Sequence, residues 1–195
     1  MYKSFIFKTW CVLLLCLCMS TLVPSVACNL PTTVNHQQLA KFKQTDAQLY
    51  LTARQAYQQL KKKPDSILFV DVRTRAEIEF VGSSPLVDAF IPYMTNDLSA
   101  WDSKNQRYPK ELNESFASEL AMALQKKGLN KQALVIFICR AGGRSALAAN
   151  IASQQGYTQA YSIIDGFEGD EAIDGKRKGQ RVVNGWKNIQ IPMVN

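Results

Sequence analysis

Ala133-Leu134-Val135-Ile136-Phe137-Ile138-Cys139-Arg140-Ala141-Gly142-Gly143-Arg144-Ser145 is the stretch on which the fold turns. Its first six residues are all apolar, and such a short unbroken run suits a strand of a parallel sheet, buried on both faces. The run leads straight into Cys139 and a turn with two glycines. Ala146 to Gln155 then reads as a helix, ended by Gly156. In open parallel sheets, ligands bind beyond the C-terminal ends of the strands, which is where Cys139 falls.

Working outward, the same alternation recurs. Leu49 to Leu51 reads as a short strand, and Thr52 is placed to cap a helix from Ala53 to Lys63 that Pro64 stops. Ile67-Leu68-Phe69-Val70 is a second apolar run, ending in Asp71. A short helix from Arg75 to Phe80, a turn from Gly82 to Pro85 and a strand Ala89-Phe90-Ile91 closed by Pro92 follow. Residues 93–112 are polar, with prolines nearby, and read as an irregular surface excursion. A helix is expected from Ser115 to Lys127 before Gly128, and a last strand from Ala160 to Ile164. Strands alternating with helices imply an α/β domain with a mostly parallel central sheet flanked by helices on both faces. The domain is expected over 49–192.

The N-terminus reads as a targeting segment. Lys3 and Lys8 precede an almost wholly apolar run from Trp10 to Val23, shorter than the roughly 20 residues a bilayer span needs. Pro24 ends it, and Ser25-Val26-Ala27 supplies small residues for an export peptidase. Residues 1–27 are therefore expected to be a signal peptide and the protein exported, to the periplasm, with a retained membrane anchor as the competing reading. Of five cysteines, Cys28 and Cys139 then remain. Cys28 would be the first mature residue, the position a lipoprotein acylates, although Pro24-Ser25-Val26-Ala27 is a poor lipoprotein box. Soluble export and a lipid anchor at Cys28 both stay open. Two cysteines make a disulfide scaffold an unpromising account, so burial must hold the domain together. Residues 28–48 are a polar, weakly patterned lead-in, expected to be extended.

The chain has 195 residues and a formal charge of +7, with 47% hydrophobic and 20% charged residues, as in ordinary globular domains. No aromatic-interleaved basic stripe accompanies the positive charge. The densest cluster, Lys176, Arg177, Lys178 and Arg181, is flanked by glycines and reads as a solvated loop, not a nucleic-acid patch.

The chemistry gathers at Cys139. Gly142 and Gly143 allow a tight turn whose N–H groups can converge on one spot. The following helix directs its positive end there, and Arg140 and Arg144 add full charges. All of these favour a thiolate over a thiol and would also hold an anion. Cys139 is thus the candidate nucleophile. Arg140, Ala141, Gly142, Gly143, Arg144 and Ser145 are the candidate substrate-binding loop. No metal and no cofactor are expected.

Cys139-Arg140-Ala141-Gly142-Gly143-Arg144-Ser145 resembles the active-site loop of rhodanese-type sulfurtransferases, whose usual form is Cys-Arg-Ser-Gly-x-Arg-Ser; Ala141 departs from it. Asp71-Val72-Arg73 with Glu77 and Gly82, Ala89-Phe90-Ile91-Pro92, Gly166-Phe167-Glu168-Gly169 and Gly185-Trp186-Lys187 with Pro192 are similar to further motifs of the family, in its order. The C-terminal wording also resembles exported rhodanese-like proteins associated with quinone-dependent alcohol oxidation in bacteria. The resemblance implies that Cys139 takes sulfur from thiosulfate or a similar small anionic donor. It would then pass the sulfur to cyanide or a thiol, with a protein thiol among the acceptors. Ser145 either donates a hydrogen bond or caps the helix. Asp71 and Arg73 are read as structural, and Phe167 and Trp186 as core.

The nearest rival is a phosphatase on the same fold. Such enzymes place five residues between Cys and Arg; here four separate Cys139 from Arg144, and Ser145 stands where that arginine would be. A Cys-His hydrolase lacks a base, since His36 is the only histidine and lies in the lead-in. A non-catalytic persulfide carrier or partner-binding module is the alternative from another class.

Overall fold

The computed structural model describes Leu30 and residues 33–194. The expected signal peptide and Cys28 lie outside the described residues.

A central sheet is built from β1 (Tyr50–Leu51), β2 (Ile67–Asp71), β3 (Ala89–Phe90), β6 (Leu134–Ile138) and β7 (Gln159–Ile163). Their order is β1-β7-β6-β2-β3, and every neighbouring pair is parallel. Successive side chains on a strand point to opposite faces, and both faces here are covered. Leu68 and Val70 of β2 and Val135 and Phe137 of β6 pack under α3 (Phe116–Lys126) and α4 (Gly143–Gln154). Ile67 and Phe69, with Ile136 and Ile138, pack instead under α1 (Ala53–Lys62), Trp186 and Ile191. This is why the strands read as continuous apolar runs. Trp186 is fully buried, stacked on Phe69 at 5.2 Å between ring centroids, with Tyr57 edge-on at 6.0 Å. The expected cap at Thr52 forms, with Gln55, at the start of α1, and the structure adds a second capping box, Thr74 with Glu77, at the start of α2 (Arg75–Val81).

Three expectations need correction. The 93–112 excursion is not irregular throughout: β4 (Met94–Asn96) and β5 (Lys110–Leu112) form an antiparallel pair. Asp97 N–H bonds the Pro109 carbonyl at 2.9 Å, and Trp101 packs edge-on against Tyr108 at 5.1 Å. Its strands are only three residues long and largely polar, so alternation could not reveal them. Second, α4 begins at Gly143, three residues earlier than expected. Glycine is a poor helix former, but Gly142 at φ 96° turns the chain so that Gly143 enters the first turn. Third, the lead-in is not simply extended. It makes two 3-10 turns, His36–Gln38 and Lys41–Lys43, and lies along α4. Asp46 N–H reaches Asn150 Oδ1 at 3.0 Å, and buried Tyr50 Oη accepts from Thr45 N–H at 2.8 Å.

Candidate active site

Cys139 follows β6 directly, at the C-terminal end of the sheet. By strand alternation it lies on the α3–α4 face, and its residue is 1% exposed. The Gly142 amide donates to Cys139 Sγ at 3.2 Å. Ser145 Oγ lies 3.5 Å from the same sulfur, and either atom could donate. The single Ser145 proton has two other acceptors, the Gly142 carbonyl at 3.0 Å and the Ile163 carbonyl at 3.2 Å, while Ser162 Oγ donates to it at 3.0 Å. Ser145 thus ties the turn to β7 and faces the sulfur as a hydrogen-bonding residue; it does not cap α4, because it lies inside the first turn and the cap position is Gly142, with no side-chain cap bond.

Neighbouring backbone determines the shape of the turn. A Cβ on Gly142 would overlap the Ile164 carbonyl oxygen and stand 2.9 Å from its carbon. Gly166, at φ 61°, lets the chain after β7 approach so closely that a Cβ would lie 2.5 Å from Cys139 O. Phe167 N–H and Glu168 N–H then bond the Cys139 and Arg140 carbonyls at 2.7 and 2.9 Å. Asp165 anchors this clamp, accepting from Ala53 N–H at 2.7 Å and Gly185 N–H at 3.2 Å; burial pushes its carboxyl up, against those amides.

Asp71 and Arg73 are fully buried and do not line the pocket. Arg73 holds Asp71 through Nε at 3.0 Å and Nη2 at 2.6 Å, bonds the Gly82 carbonyl at 2.9 Å, and stacks over Phe167 at 3.9 Å. Their place is structural: they bind the β2–α2 connection to the clamp below the cysteine turn.

The pocket over Cys139 has a volume of about 410 Å³. Of the cysteine-loop candidates, Cys139, Arg140, Ala141, Gly143 and Arg144 line it, whereas Gly142 and Ser145 do not. The structure adds Phe42, Lys110, Asp170, Glu171 and Arg181, drawn from the lead-in, from β5 and from the chain after β7. None belongs to the cysteine loop, so local motif reading had no means of finding them. Lys176, Arg177 and Lys178 are exposed, as a solvated loop would be, but Arg181 folds back to bond the Gly169 carbonyl and Glu171, both at 2.8 Å.

The charges are not equivalent. Arg144 is closed on Glu77 by two bonds of 2.6 and 2.5 Å. Burial alone would push the Glu77 carboxyl up. The Arg144 hydrogen bonds and charge, with the Thr74 amide and hydroxyl, outweigh it and hold the carboxyl at about 2. Arg144 therefore fastens the start of α4 to the start of α2. Lys43 is likewise paired with Asp170 at 2.6 Å. Among the described residues, Arg140 and Lys110 make no ion pair.

A buried thiol at a strand end, an amide aimed at its sulfur and a cationic pocket above it agree with a family assignment made on sequence. The model of the rhodanese-like domain matches residues 52–172. The chain belongs to the rhodanese-like domain family. An uncharacterised protein of Rickettsia rickettsii, the RP600 homolog, is 32% identical over 130 residues, 66% of this chain and 83% of the relative. Its counterpart in Rickettsia prowazekii is 30% identical over the same length and shares. The crystal structure of Rv0390 from M. tuberculosis is similar with a TM-score of 0.55 and 31% identity, over 74% of this chain and 96% of that one. Phe42, in the second lead-in turn, and Arg181 fall outside the stretch matched to the rhodanese-like domain, yet they help wall its pocket.

Proposed function

We propose that the protein is a sulfurtransferase that carries sulfane sulfur on Cys139. One observation bears most of the weight: the Cys139 sulfur, nearly closed to solvent, lies 3.2 Å from the Gly142 amide at the floor of a pocket with two uncompensated cations. In the first step the Cys139 thiolate attacks the outer sulfur of thiosulfate. An Sγ–S bond forms, the sulfur–sulfur bond of the donor breaks, and its electron pair leaves with sulfite. In the second step cyanide or an acceptor thiolate attacks the outer sulfur of the persulfide. Thiocyanate or the acceptor persulfide departs, and the Cys139 thiolate returns. No oxidant is needed in either step.

Phosphate chemistry on the same turn is less well supported. Only four residues separate Cys139 from Arg144, Arg144 is held by Glu77, and buried Ser145 supplies no charge where a phosphatase arginine would stand. The proposal includes export directed by residues 1–27, with acylation of Cys28 as its membrane-bound variant.

Intact mass of the protein after thiosulfate treatment is the direct test. The wild type should gain the mass of one sulfur and lose it to cyanide; Cys139→Ser should gain none. The same spectrum reports the mature N-terminus and any lipid. A wild type that takes no sulfur from any sulfane donor defeats the enzyme reading and leaves a partner-binding module. Loading without turnover would indicate a persulfide carrier.

A further inference from the structure

Lys110 enters the pocket from outside the cysteine loop, on a hairpin to which the preceding reading gives no task. We propose that Lys110, with Arg140, holds the charged end of an anionic sulfur donor, so that the β4–β5 hairpin sets donor specificity. The inference rests on the sulfurtransferase reading of Cys139.

The first support is the balance of charge. Four cations line the cavity: Lys110, Arg140, Arg144 and Arg181. Glu77 closes on Arg144 and Glu171 on Arg181, and the remaining carboxylate of the lining, Asp170, is held by Lys43. Two cations, Lys110 and Arg140, are left without an ion pair among the described residues. A donor with two negative charges, such as thiosulfate, would neutralise that pair. A bound oxyanion would also gain charge-assisted hydrogen bonds from an ammonium and a guanidinium.

The second support is placement. Lys110 is on a strand, not a loose loop. It pairs in register with Asn96 and is flanked by the Asp97–Pro109 bond at 2.9 Å and the Asn113–Tyr93 bond at 3.0 Å. Asn113 Nδ2 also bonds the Pro92 carbonyl at 2.9 Å, fixing the hairpin base next to β3. The charges that act on the ammonium are those of Arg144 on α4, Arg140 in the cysteine loop, Arg107 in its own hairpin and Glu77 on α2. Burial first, and then repulsion from those arginines against the pull of Glu77, lowers its pKa. An arriving anion relieves that repulsion. During transfer, the negative charge that collects on departing sulfite meets the same two cations.

The experiment compares two donors on the full chain: thiosulfate, and cysteamine persulfide, which has no oxyanion. Thiocyanate formation from cyanide gives kcat and KM for the wild type, Lys110→Met and Lys110→Arg. In Lys110→Met, kcat/KM for thiosulfate should fall about 10- to 100-fold relative to that for cysteamine persulfide, chiefly through KM, as expected for one lost charge-assisted contact. Lys110→Arg should restore most of the loss. It should also shift the alkaline rise of the thiosulfate KM to higher pH, since a guanidinium keeps its charge. Parallel changes for both donors, or none, overturn the proposal. Failure of the wild type to load sulfur from either donor instead brings down the sulfurtransferase reading on which it rests.

Discussion

Replacing Glu77 with Gln should loosen the joint between the two helix starts, and the size and pH dependence of the effect can be worked out. Glu77 accepts from both Arg144 nitrogens and, at 2.9 Å each, from the Thr74 amide and hydroxyl. Gln can keep the Thr74 bonds through its carbonyl oxygen. It removes the charge, however, and presents an NH₂ group to the Arg144 donors. The folded carboxyl sits at about 2 against an ordinary 4.5. At about 1.4 kcal/mol per pH unit, that difference sets an upper bound of about 3–4 kcal/mol. The Arg144 and Glu77 side chains are 14% and 17% exposed, so solvent screening reduces the expectation to about 1–2 kcal/mol. For a domain of this size the loss corresponds to a Tm about 2–8 °C lower. The folded pKa is depressed, so the stabilisation is complete above the ordinary carboxyl range and is lost as pH falls from about 4.5 towards about 2. Urea unfolding of both proteins at about pH 7 and about pH 3 measures this. The gap should be widest at neutral pH and shrink in acid. A gap that stays constant, or a Gln variant as stable as wild type at neutral pH, would refute the reasoning.

Further outcomes follow from the same contacts. Gly142→Ala should lose about 3 kcal/mol, from a left-handed backbone and overlap with Ile164, and should slow persulfide formation because the amide facing Sγ is displaced; urea midpoints and sulfur-loading rates read the two effects. Asp71→Asn strands the Arg73 guanidinium in a fully buried site and should lose about 3–5 kcal/mol, visible as a large drop in urea midpoint; a drop below about 1 kcal/mol would contradict the buried ion pair. Inserting one residue between Gly143 and Arg144 should abolish sulfur loading by widening the turn, and the wild type should not hydrolyse aryl phosphates. Aryl phosphate turnover that disappears in Cys139→Ser would overturn the sulfur assignment.

Local chemistry in the sequence sufficed for the sheet, the turn and the cysteine. The apolar runs of β2 and β6 are buried on both faces and must read as continuous, and Thr52 announces the start of α1. Gly142 and Gly143 mark a tight turn because glycine freely adopts a left-handed backbone, the φ of 96° found at Gly142. What the sequence could not convey depends on distance along the chain. The Glu77–Arg144 pair spans 67 residues and Lys43–Asp170 spans 127, and no periodicity reports which charges will cancel. The loop therefore offered two arginines of equal standing, whereas the folded chain commits Arg144 to Glu77 and leaves Arg140 open. Lys110, Phe42 and Arg181 likewise look like surface residues in sequence and reach the pocket only because a hairpin, the lead-in and the chain after β7 converge on one end of the sheet. Burial and turns are encoded by neighbours along the chain, whereas the charge balance of the pocket is a sum over residues that meet only after folding.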